Sequence, residues 1–304
     1  MKRDSPFFKQ TKLMLELIPF VATEKCFALK GGTAINFFIQ DMPRLSVDID
    51  LTYLPLDSRQ TALQNVSEAL RRIAAHIRKA KGIKVHESKI GDRIIKLIVT
   101  DQQQQVVIEP NEVLRGAVYK TIERSLSPEA EKTFELTTAI QVLSDADVYG
   151  GKLCAALDRQ HPRDMFDVKL LMAGAGITDE VRKAFIIYLA GHDRPINELF
   201  EPVRKNMREV YEREFVGMTK DPVSYEELEQ AREQYIKILS ESLTQDERQF
   251  LVSIKMGQPD WGLLNIEGID KLPAIQWKLL NIKKMEKEKH AELLSRLKIK
   301  LNIS

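Results

Sequence analysis

The sequence contains few residues of the types that form cross-links or transition-metal sites. Its 304 residues include 2 Cys and 5 His. Cys26 and Cys154 both stand in apolar segments, which is typical of small buried side chains rather than of a disulfide or a metal pair. The histidines show no zinc-site spacing. The composition therefore argues against a disulfide-stabilised or zinc-dependent protein.

Long apolar runs and an excess of one charge are also missing. No apolar segment approaches the ~20 residues that span a bilayer, and no small-residue cleavage site follows the N-terminal stretch MKRDSPFFKQTKLMLELIPF. The net charge is only +2, with 43% hydrophobic and 30% charged residues, which is typical of a soluble globular protein. We expect a cytoplasmic protein built as one elaborated domain or as two.

A glycine pair lies between a strand-like and a helix-like segment. Gly31 and Gly32 follow the apolar run 26–29, so the pattern predicts a strand, a tight turn and then a helix TAINFFIQDM that begins at Thr33. Backbone N–H groups at such a helix start, with the positive end of its dipole, favour a phosphate. A glycine pair alone is most often only a turn.

Two carboxylates follow within the same 25-residue window, Phe27 to Leu51. Asp48 and Asp50 stand two residues apart in VDIDLTYL, and a strand directs such residues to one face. Two carboxylates so placed repel each other unless a cation lies between them, and hard oxygen ligands suit Mg²⁺. A lone pair of this kind is usually a solvated strand face. Its combination with the glycine pair favours a site for a nucleoside triphosphate and a metal ion.

These residues resemble a known family. The stretch KGGTAINFFIQDMPRLSVDIDL is similar to the AbiEii/AbiGii toxins of the DNA polymerase β-like nucleotidyltransferase superfamily. A second block, DVYGGKLCAALDRQHPRDMFDVKLL at 147–171, is similar to the family's second signature, a Lys on one helix followed by R-D-x-x-D on the next. The resemblance covers roughly 20–175, and the remainder matches only loosely.

The resemblance implies an activity and its partners. It implies the toxin of a bacterial toxin–antitoxin pair of the abortive-infection type, which moves NMP from an NTP to an acceptor hydroxyl with Mg²⁺. The acceptor expected from the family is the 3′ end of tRNA, and its modification would block translation. A cognate antitoxin is expected nearby in the genome, although it need not touch this protein.

The expected site has a metal-binding part and a nucleotide-binding part. The metal ligands and first catalytic residues are Asp48, Asp50 and Glu109. The predicted strand VVIEP should lie beside the strand of the aspartates, but Glu109 could also be an ordinary strand-end residue, with Glu112 as a competitor, and Pro110 should stop the strand or place it at an edge. The expected nucleotide-binding residues of this region are Lys30, Gly31, Gly32, Thr33, Arg44 and Ser46.

The second signature supplies the remaining expected residues. The resemblance implies that Lys152 places a positive charge on the triphosphate. Arg163 and Asp167 are expected to bind nucleotide. Asp164 is expected to be catalytic, and the residues leave three roles open for it: capping its helix, orienting Lys152 or binding the nucleotide.

The fold expected from pattern and resemblance is α+β, with a mixed sheet flanked by helices and a helical C-terminal domain. We predict a nucleotidyltransferase core at 1–142 and a helical domain at 143–304, with a boundary near 195 as the alternative. Strands are expected at 26–30, 83–87, 94–100, 105–109 and 134–142, and long helices at 57–80 and 273–300.

Two stretches are locally basic. Nine Lys or Arg stand against two acids from Arg71 to Lys96, and eight against three from Lys278 to Lys300. Such stretches either follow an RNA backbone or form a solvated helix face. Other readings also stay open: a protein or small-molecule acceptor, transfer of the γ-phosphoryl group, or a non-catalytic nucleotide sensor.

Overall fold

A computed structural model describes residues 1–303 and confirms the predicted α+β class. These residues form seven strands, β1 (Phe27–Lys30), β2 (Ile49–Tyr53), β3 (Lys84–Ile90), β4 (Arg93–Asp101), β5 (Gln104–Asn111), β6 (Ile122–Ser125) and β7 (Ala139–Val142). The helices of the N-terminal half are α1 (Pro6–Ala22), α2 (Gly31–Ala34), α3 (Arg59–Lys81), α4 (Pro128–Phe134), α5 (Asp145–Arg159) and α6 (Pro162–Ala173). The later helices are α7 (Asp179–Ala190), α8 (Ile196–Phe200), α9 (Arg208–Glu214), α10 (Tyr225–Ser242), α11 (Gln245–Met256), α12 (Pro273–Lys283) and α13 (Lys287–Lys300).

All seven strands join one mixed sheet in the order β3-β4-β5-β2-β1-β7-β6. β2 lies near its centre, antiparallel to β1 and parallel to β5. β7 continues the sheet parallel to β1. The start of β2 therefore has a strand on each side, and residues of three strands can share one face there.

The chain divides into two compact units. The first holds Met1–Val148 and the returning segment Glu212–Val223, and the second holds Tyr149–Tyr211 and the chain from Ser224 onward. The return of 212–223 to the first unit was not predicted. The proposed domain boundary at 142/143 stays a prediction.

The first unit follows the sequence pattern closely at α3. Its apolar positions Leu63, Val66, Leu70, Ile73 and Ile77 are all buried. Ser58 caps the helix start by accepting a hydrogen bond from the N–H of Thr61, and Gly82 ends the helix at φ 65°. The helix predicted at 57–80 therefore agrees with α3 to within two residues at each end, because each end rests on local chemistry.

Two element predictions were wrong, and one strand was missed. The strand expected at 134–142 begins only at Ala139, because Phe134 ends α4 and stacks on Phe8 with a centroid separation of 4.7 Å. β6 was not predicted. The single helix expected at 273–300 is two, α12 and α13, with a break at 284–286.

The second unit is helical, and two of its helices begin at well-formed caps. α10 and α11 both start with a capping box, at Ser224/Glu227 and Thr244/Glu247. Glu247 is buried and pairs with Arg182 of α7 at 2.8 Å. Among the helices of residues 1–303, none has the length and apolarity required to cross a membrane.

Candidate active site

The glycine pair begins the helix rather than preceding it. α2 starts at Gly31, with Lys30 as its N-cap, and a π-helical turn Ile35–Ile39 continues it. Gly31 has φ 72°, a conformation that favours glycine. The expectation that the helix begins at Thr33 was therefore wrong by two residues. Gly31 and Gly32, which were expected to form a tight turn before the helix, are its first two residues.

Close packing explains why both positions are glycine. A Cβ at Gly31 would lie 2.5 Å from Oδ2 of Asp50. A Cβ at Gly32 would lie 2.7 Å from Nη2 of Arg44 and 3.1 Å from Oγ of Ser46. The backbone at the helix start is thus pressed against the carboxylate of Asp50 on one side and against Arg44 and Ser46 on the other.

The two aspartates lie where this helix start meets β2. Asp48 directly precedes β2 and Asp50 is its second residue, and both are half-buried. The hydroxyl of Thr33 donates a 2.5 Å hydrogen bond to the carbonyl oxygen of Asp48. The antiparallel pairing of β1 with β2 sets Lys30 opposite Asp50. The helix start and the aspartates are consequently held together by main-chain geometry.

Glu109 is the strand neighbour of Asp50. In the parallel pairing of β2 with β5, Asp50 is the partner of Glu109, so both side chains leave the sheet on the same face. The Glu109 side chain is 52% exposed, and its Oε1 lies 3.8 Å from Nζ of Lys96. The competing residue, Glu112, instead pairs with Arg93 at 2.8 Å. The register therefore distinguishes Glu109 from Glu112.

Pro110 does not end β5, but it lies where the pairing of β5 with β4 has already stopped, so one side of the strand is an edge there. The strand continues to Asn111, and Pro110 is the partner of Leu51 in the pairing with β2. The pairing of β5 with β4 runs from Gln104 to Ile108. Proline is tolerated because it follows the last β4-paired residue, where its missing N–H interrupts no ladder on that side.

Arg44 and Ser46 form a buried wall behind the glycine pair. Arg44 is 1% exposed and donates from Nη1 to the carbonyl of Leu45 at 2.7 Å. Ser46 Oγ lies 3.0 Å from the hydroxyl oxygen of Thr33. Because Thr33 donates to Asp48, Ser46 is the donor of this bond. The expected contact of these side chains with phosphate stays a prediction.

A distant segment fixes this wall in place. The N–H of Leu45 donates to the carbonyl of Met218, and the N–H of Lys220 donates to the carbonyl of Pro43. Arg44 and Thr219 form an isolated antiparallel bridge. Sequence reasoning missed this segment, because its chemistry is carried by backbone groups that any residue possesses.

The second signature forms a buried ion cluster within the second unit. Nζ of Lys152 lies 2.7 Å from Asp164 and 2.9 Å from Asp167, and the three side chains are 5%, 3% and 0% exposed. Arg159, which was not predicted, lies 2.9 Å from Asp164. Burial alone would raise the pKa of Asp164, but the charges of Lys152 and Arg159 outweigh it and hold that pKa well below its usual range.

The contacts around Asp164 exclude one of the three roles left open for it, that of helix cap. The N-cap of α6 is His161, whose Nδ1 accepts from the N–H of Arg163 at 3.1 Å. Asp164 therefore does not cap the helix, and its carboxylate instead contacts the amine of Lys152. Arg163 itself is half-buried in the first turn. One glycine of this region is also explained, since a Cβ at Gly150 would lie 2.7 Å from the backbone N of Phe185.

The carboxylates of the first unit suit a hard divalent cation. Asp48 and Asp50 are half-buried oxygen ligands beside a helix start that a Cβ would fill. No group of three or more His, Cys, Asp or Glu within the described residues is arranged to hold a metal. Mg²⁺ is commonly bound by one or two carboxylates together with waters and substrate phosphates, so the aspartate pair meets that requirement.

Comparison with known proteins agrees with this geometry. The family model described as "Nucleotidyl transferase AbiEii toxin, Type IV TA system" matches residues 12–281. The chain belongs to the AbiEii nucleotidyltransferase toxin family. The match extends well beyond 20–175, the region that contains the two sequence motifs. The AbiEii chain is thus a nucleotidyltransferase toxin of a type IV toxin–antitoxin system, and membership implies an NTP substrate and an antitoxin partner.

A solved structure shares the fold. The MenT4 nucleotidyltransferase toxin from Mycobacterium tuberculosis H37Rv superposes with a TM-score of 0.61 over 91% of this AbiEii chain and 93% of its own, at 14% sequence identity. Among curated proteins, none matches the sequence significantly. The structural likeness extends over nearly all of both chains and concerns the fold.

Proposed function

We propose that this AbiEii toxin transfers NMP from an NTP to the 3′ end of tRNA in a Mg²⁺-dependent reaction that blocks translation. The observation that carries the proposal is the packing of Gly31 against the carboxylate of Asp50, with Asp48 two residues away. Backbone without a side chain thus lies against the Asp50 carboxylate, and a metal-bound triphosphate requires both close backbone approach and hard oxygen ligands.

Asp48 and Asp50 are the residues that would hold the metal. Mg²⁺ bound there would neutralise charge on the phosphate oxygens and orient the transferred group. Gly31 and Gly32 contribute by lacking side chains, so their backbone can approach the β- and γ-phosphates closely. The hydroxyl of Thr33 donates a hydrogen bond to the main-chain carbonyl of Asp48. This bond keeps the aspartate pair aligned with the helix start.

The proposed chemistry is a single in-line displacement. The acceptor hydroxyl oxygen forms a bond to the α-phosphorus, the bond between that phosphorus and the α–β bridging oxygen breaks, and pyrophosphate leaves. The hydroxyl proton passes to a carboxylate. Glu109 is our candidate for this step, because it is half-exposed and stands opposite Asp50 on the neighbouring strand.

The buried cluster supports a positioning role for two acids. Asp164 and Asp167 hold the amine of Lys152 at hydrogen-bond distance, so we propose that they orient it. The cluster with Arg159 contains two cations and two carboxylates, and its charges balance. The role of Lys152 on the triphosphate, and those of Arg163 and Asp167 on the nucleotide, remain part of this proposal.

The surface charges favour the second basic stretch as the RNA contact. In the first stretch six of the nine cations pair with carboxylates, at Arg72, Arg78, Lys81, Lys89, Arg93 and Lys96. In the second, Lys283, Lys284, Lys287 and Lys289 are exposed, and within residues 1–303 no carboxylate forms an ion pair with them. Cations without protein partners are the ones available to neutralise phosphates.

The proposal is tested with purified protein, Mg²⁺, total tRNA and each α-³²P-labelled NTP in turn. We expect label on tRNA with at least one NTP and none with Asp48→Ala. Label on tRNA would also identify the donor. Label on the protein or on a small molecule, or transfer only from γ-³²P-ATP, would replace tRNA or the nucleotidyl group in the proposal. Absence of any transfer would favour a nucleotide sensor.

A further inference from the structure

Among residues 1–303, Arg115 is a buried cation without a carboxylate partner. It lies in the segment after β5, is 5% exposed, and makes one long hydrogen bond, from Nη1 to the carbonyl of Asp57 at 3.5 Å. Its Nε is buried and has no hydrogen-bond partner among residues 1–303. Arginines this deeply buried are almost always paired, because desolvating an unpaired charge is costly. An acceptor for this guanidinium is therefore missing from the described chain.

The two nearest acids are already engaged. Oδ2 of Asp57 accepts hydrogen bonds from Tyr53 at 2.6 Å and from Asn65 at 3.2 Å. Glu112 pairs with Arg93 at 2.8 Å. Both attract Arg115, but neither lies within ion-pair distance of it. Among residues 1–303, no carboxylate therefore forms an ion pair with this guanidinium.

The start of α3 adds positive charge at the same place. The contact of Arg115 with Asp57 brings the guanidinium next to the N-cap Ser58. The first helical residue is Arg59, and the first turn contains no acid. Burial, and then the charge of Arg59, lower the pKa of Arg115. A buried guanidinium without an ion pair beside the positive end of a 23-residue helix is unfavourable unless an anion joins it.

We propose that the start of α3, with Arg59 and Arg115, is a binding site for a phosphate group. The site is distinct from the aspartate pair. The N–H of Gly116 donates to the carbonyl of Tyr53, the last residue of β2, which is three residues beyond Asp50 and so ~10 Å further along the strand. The phosphate comes either from an RNA backbone or from a free phosphate or nucleotide.

Two substitutions of Arg115 separate its charge from its packing. Arg115→Met keeps an apolar stem and removes the charge, whereas Arg115→Lys keeps the charge. Arg71→Met, an exposed cation on the same helix, is the control. Because an unpaired buried charge is removed, Arg115→Met should not lower the melting temperature in phosphate-free buffer. A purely structural arginine would lower it.

The first arm measures equilibrium binding of unfractionated tRNA at several salt concentrations. If the site holds an RNA phosphate, Arg115→Met weakens binding about tenfold at low salt and reduces the salt slope by about one, while Arg115→Lys and Arg71→Met keep more of both. Since binding is measured rather than transfer, the result does not depend on the proposed reaction.

The second arm compares melting temperatures in inorganic phosphate and in chloride at equal ionic strength. If the site holds free phosphate, the native protein melts higher in phosphate and Arg115→Met does not. A loss of tRNA binding or of the melting-temperature increase in Arg115→Met supports the site. The experiment that shows the loss identifies the source of the phosphate. No change in both arms overturns the proposed site. Arg59→Ala gives the same readouts if Arg115→Met fails to fold.

Discussion

The two charged clusters of this AbiEii toxin neutralise their charges differently. Asp50 and Glu109 are strand partners, Asp48 lies two residues before Asp50, and none of the three side chains is fully buried. Lys152, Asp164 and Asp167 are buried and satisfy one another. The second cluster thus contains its own cation, and we propose that the carboxylates of the first take a cation from solution.

Removing the partly exposed carboxylate of Asp48 should have the largest effect on activity. We expect Asp48→Ala to reduce nucleotidyl transfer at least ~10³-fold, or about 4 kcal/mol of transition-state stabilisation, because the metal loses a ligand. Thermal unfolding should be unchanged, since the side chain is not buried in the core. Transfer rates and melting curves are measured beside Asp92→Ala, an exposed turn residue. If Asp48→Ala arrests growth as fully as the native toxin, this site is not the source of toxicity.

Removing one member of the buried cluster of Lys152, Asp164 and Asp167 should have a large effect on stability. Lys152→Met removes the buried cation that Asp164 and Asp167 share, so we expect a loss of about 3–5 kcal/mol in the free energy of unfolding. Lys237→Met, on an exposed position of α10, is the matched control in chemical denaturation. Equal stability of the two variants would contradict the description of the cluster as a self-neutralising unit.

The backbone approach to Asp50 can be tested by adding one methyl group. Gly31→Ala places a Cβ 2.5 Å from Asp50 Oδ2 at a φ of 72°, and we expect transfer to fall about 10–100-fold through a strain of about 1–3 kcal/mol. Gly91→Ala is the control, because Gly91 has φ 58° and open space around its Cβ position. Similar activity in both variants would show that the close approach of Gly31 to the Asp50 carboxylate is not needed for transfer.

Low pH should also destabilise the buried cluster of Lys152, Asp164 and Asp167, but by less than the loss of Lys152 does. The folded pKa of Asp164 is depressed, so its contribution to stability is present above its unfolded value of about 4 and is lost as pH falls toward the folded value. The melting temperature of the native protein should fall below about pH 4 more steeply than that of Asp164→Asn. Parallel curves for the two proteins would remove Asp164 from the acid response.

Much of the fold was predictable because its signals are local. The ends of α3 depend on a serine cap and a left-handed glycine, and both can be read from adjacent residues. The prediction of a strand at 134–142 was wrong at its start because it used only the residue type of Phe134. In the structure Phe134 stacks on Phe8, a residue 126 positions away. Local chemistry specifies where elements begin and end, and distant packing decides between helix and strand in ambiguous segments.

The sequence by itself determined the inventory of the site: a glycine pair, two aspartates in strand spacing, and a lysine followed by R-D-x-x-D. Residue type and short spacing carry that information, since a strand or a helix turn converts spacing into a shared face. Only the tertiary structure decided that Glu109 rather than Glu112 stands opposite Asp50, and that Met218 and Lys220 fix the wall at Arg44. It also decided that Arg115 is buried without an acid. These facts depend on strand register and on contacts between distant segments, which no local pattern encodes.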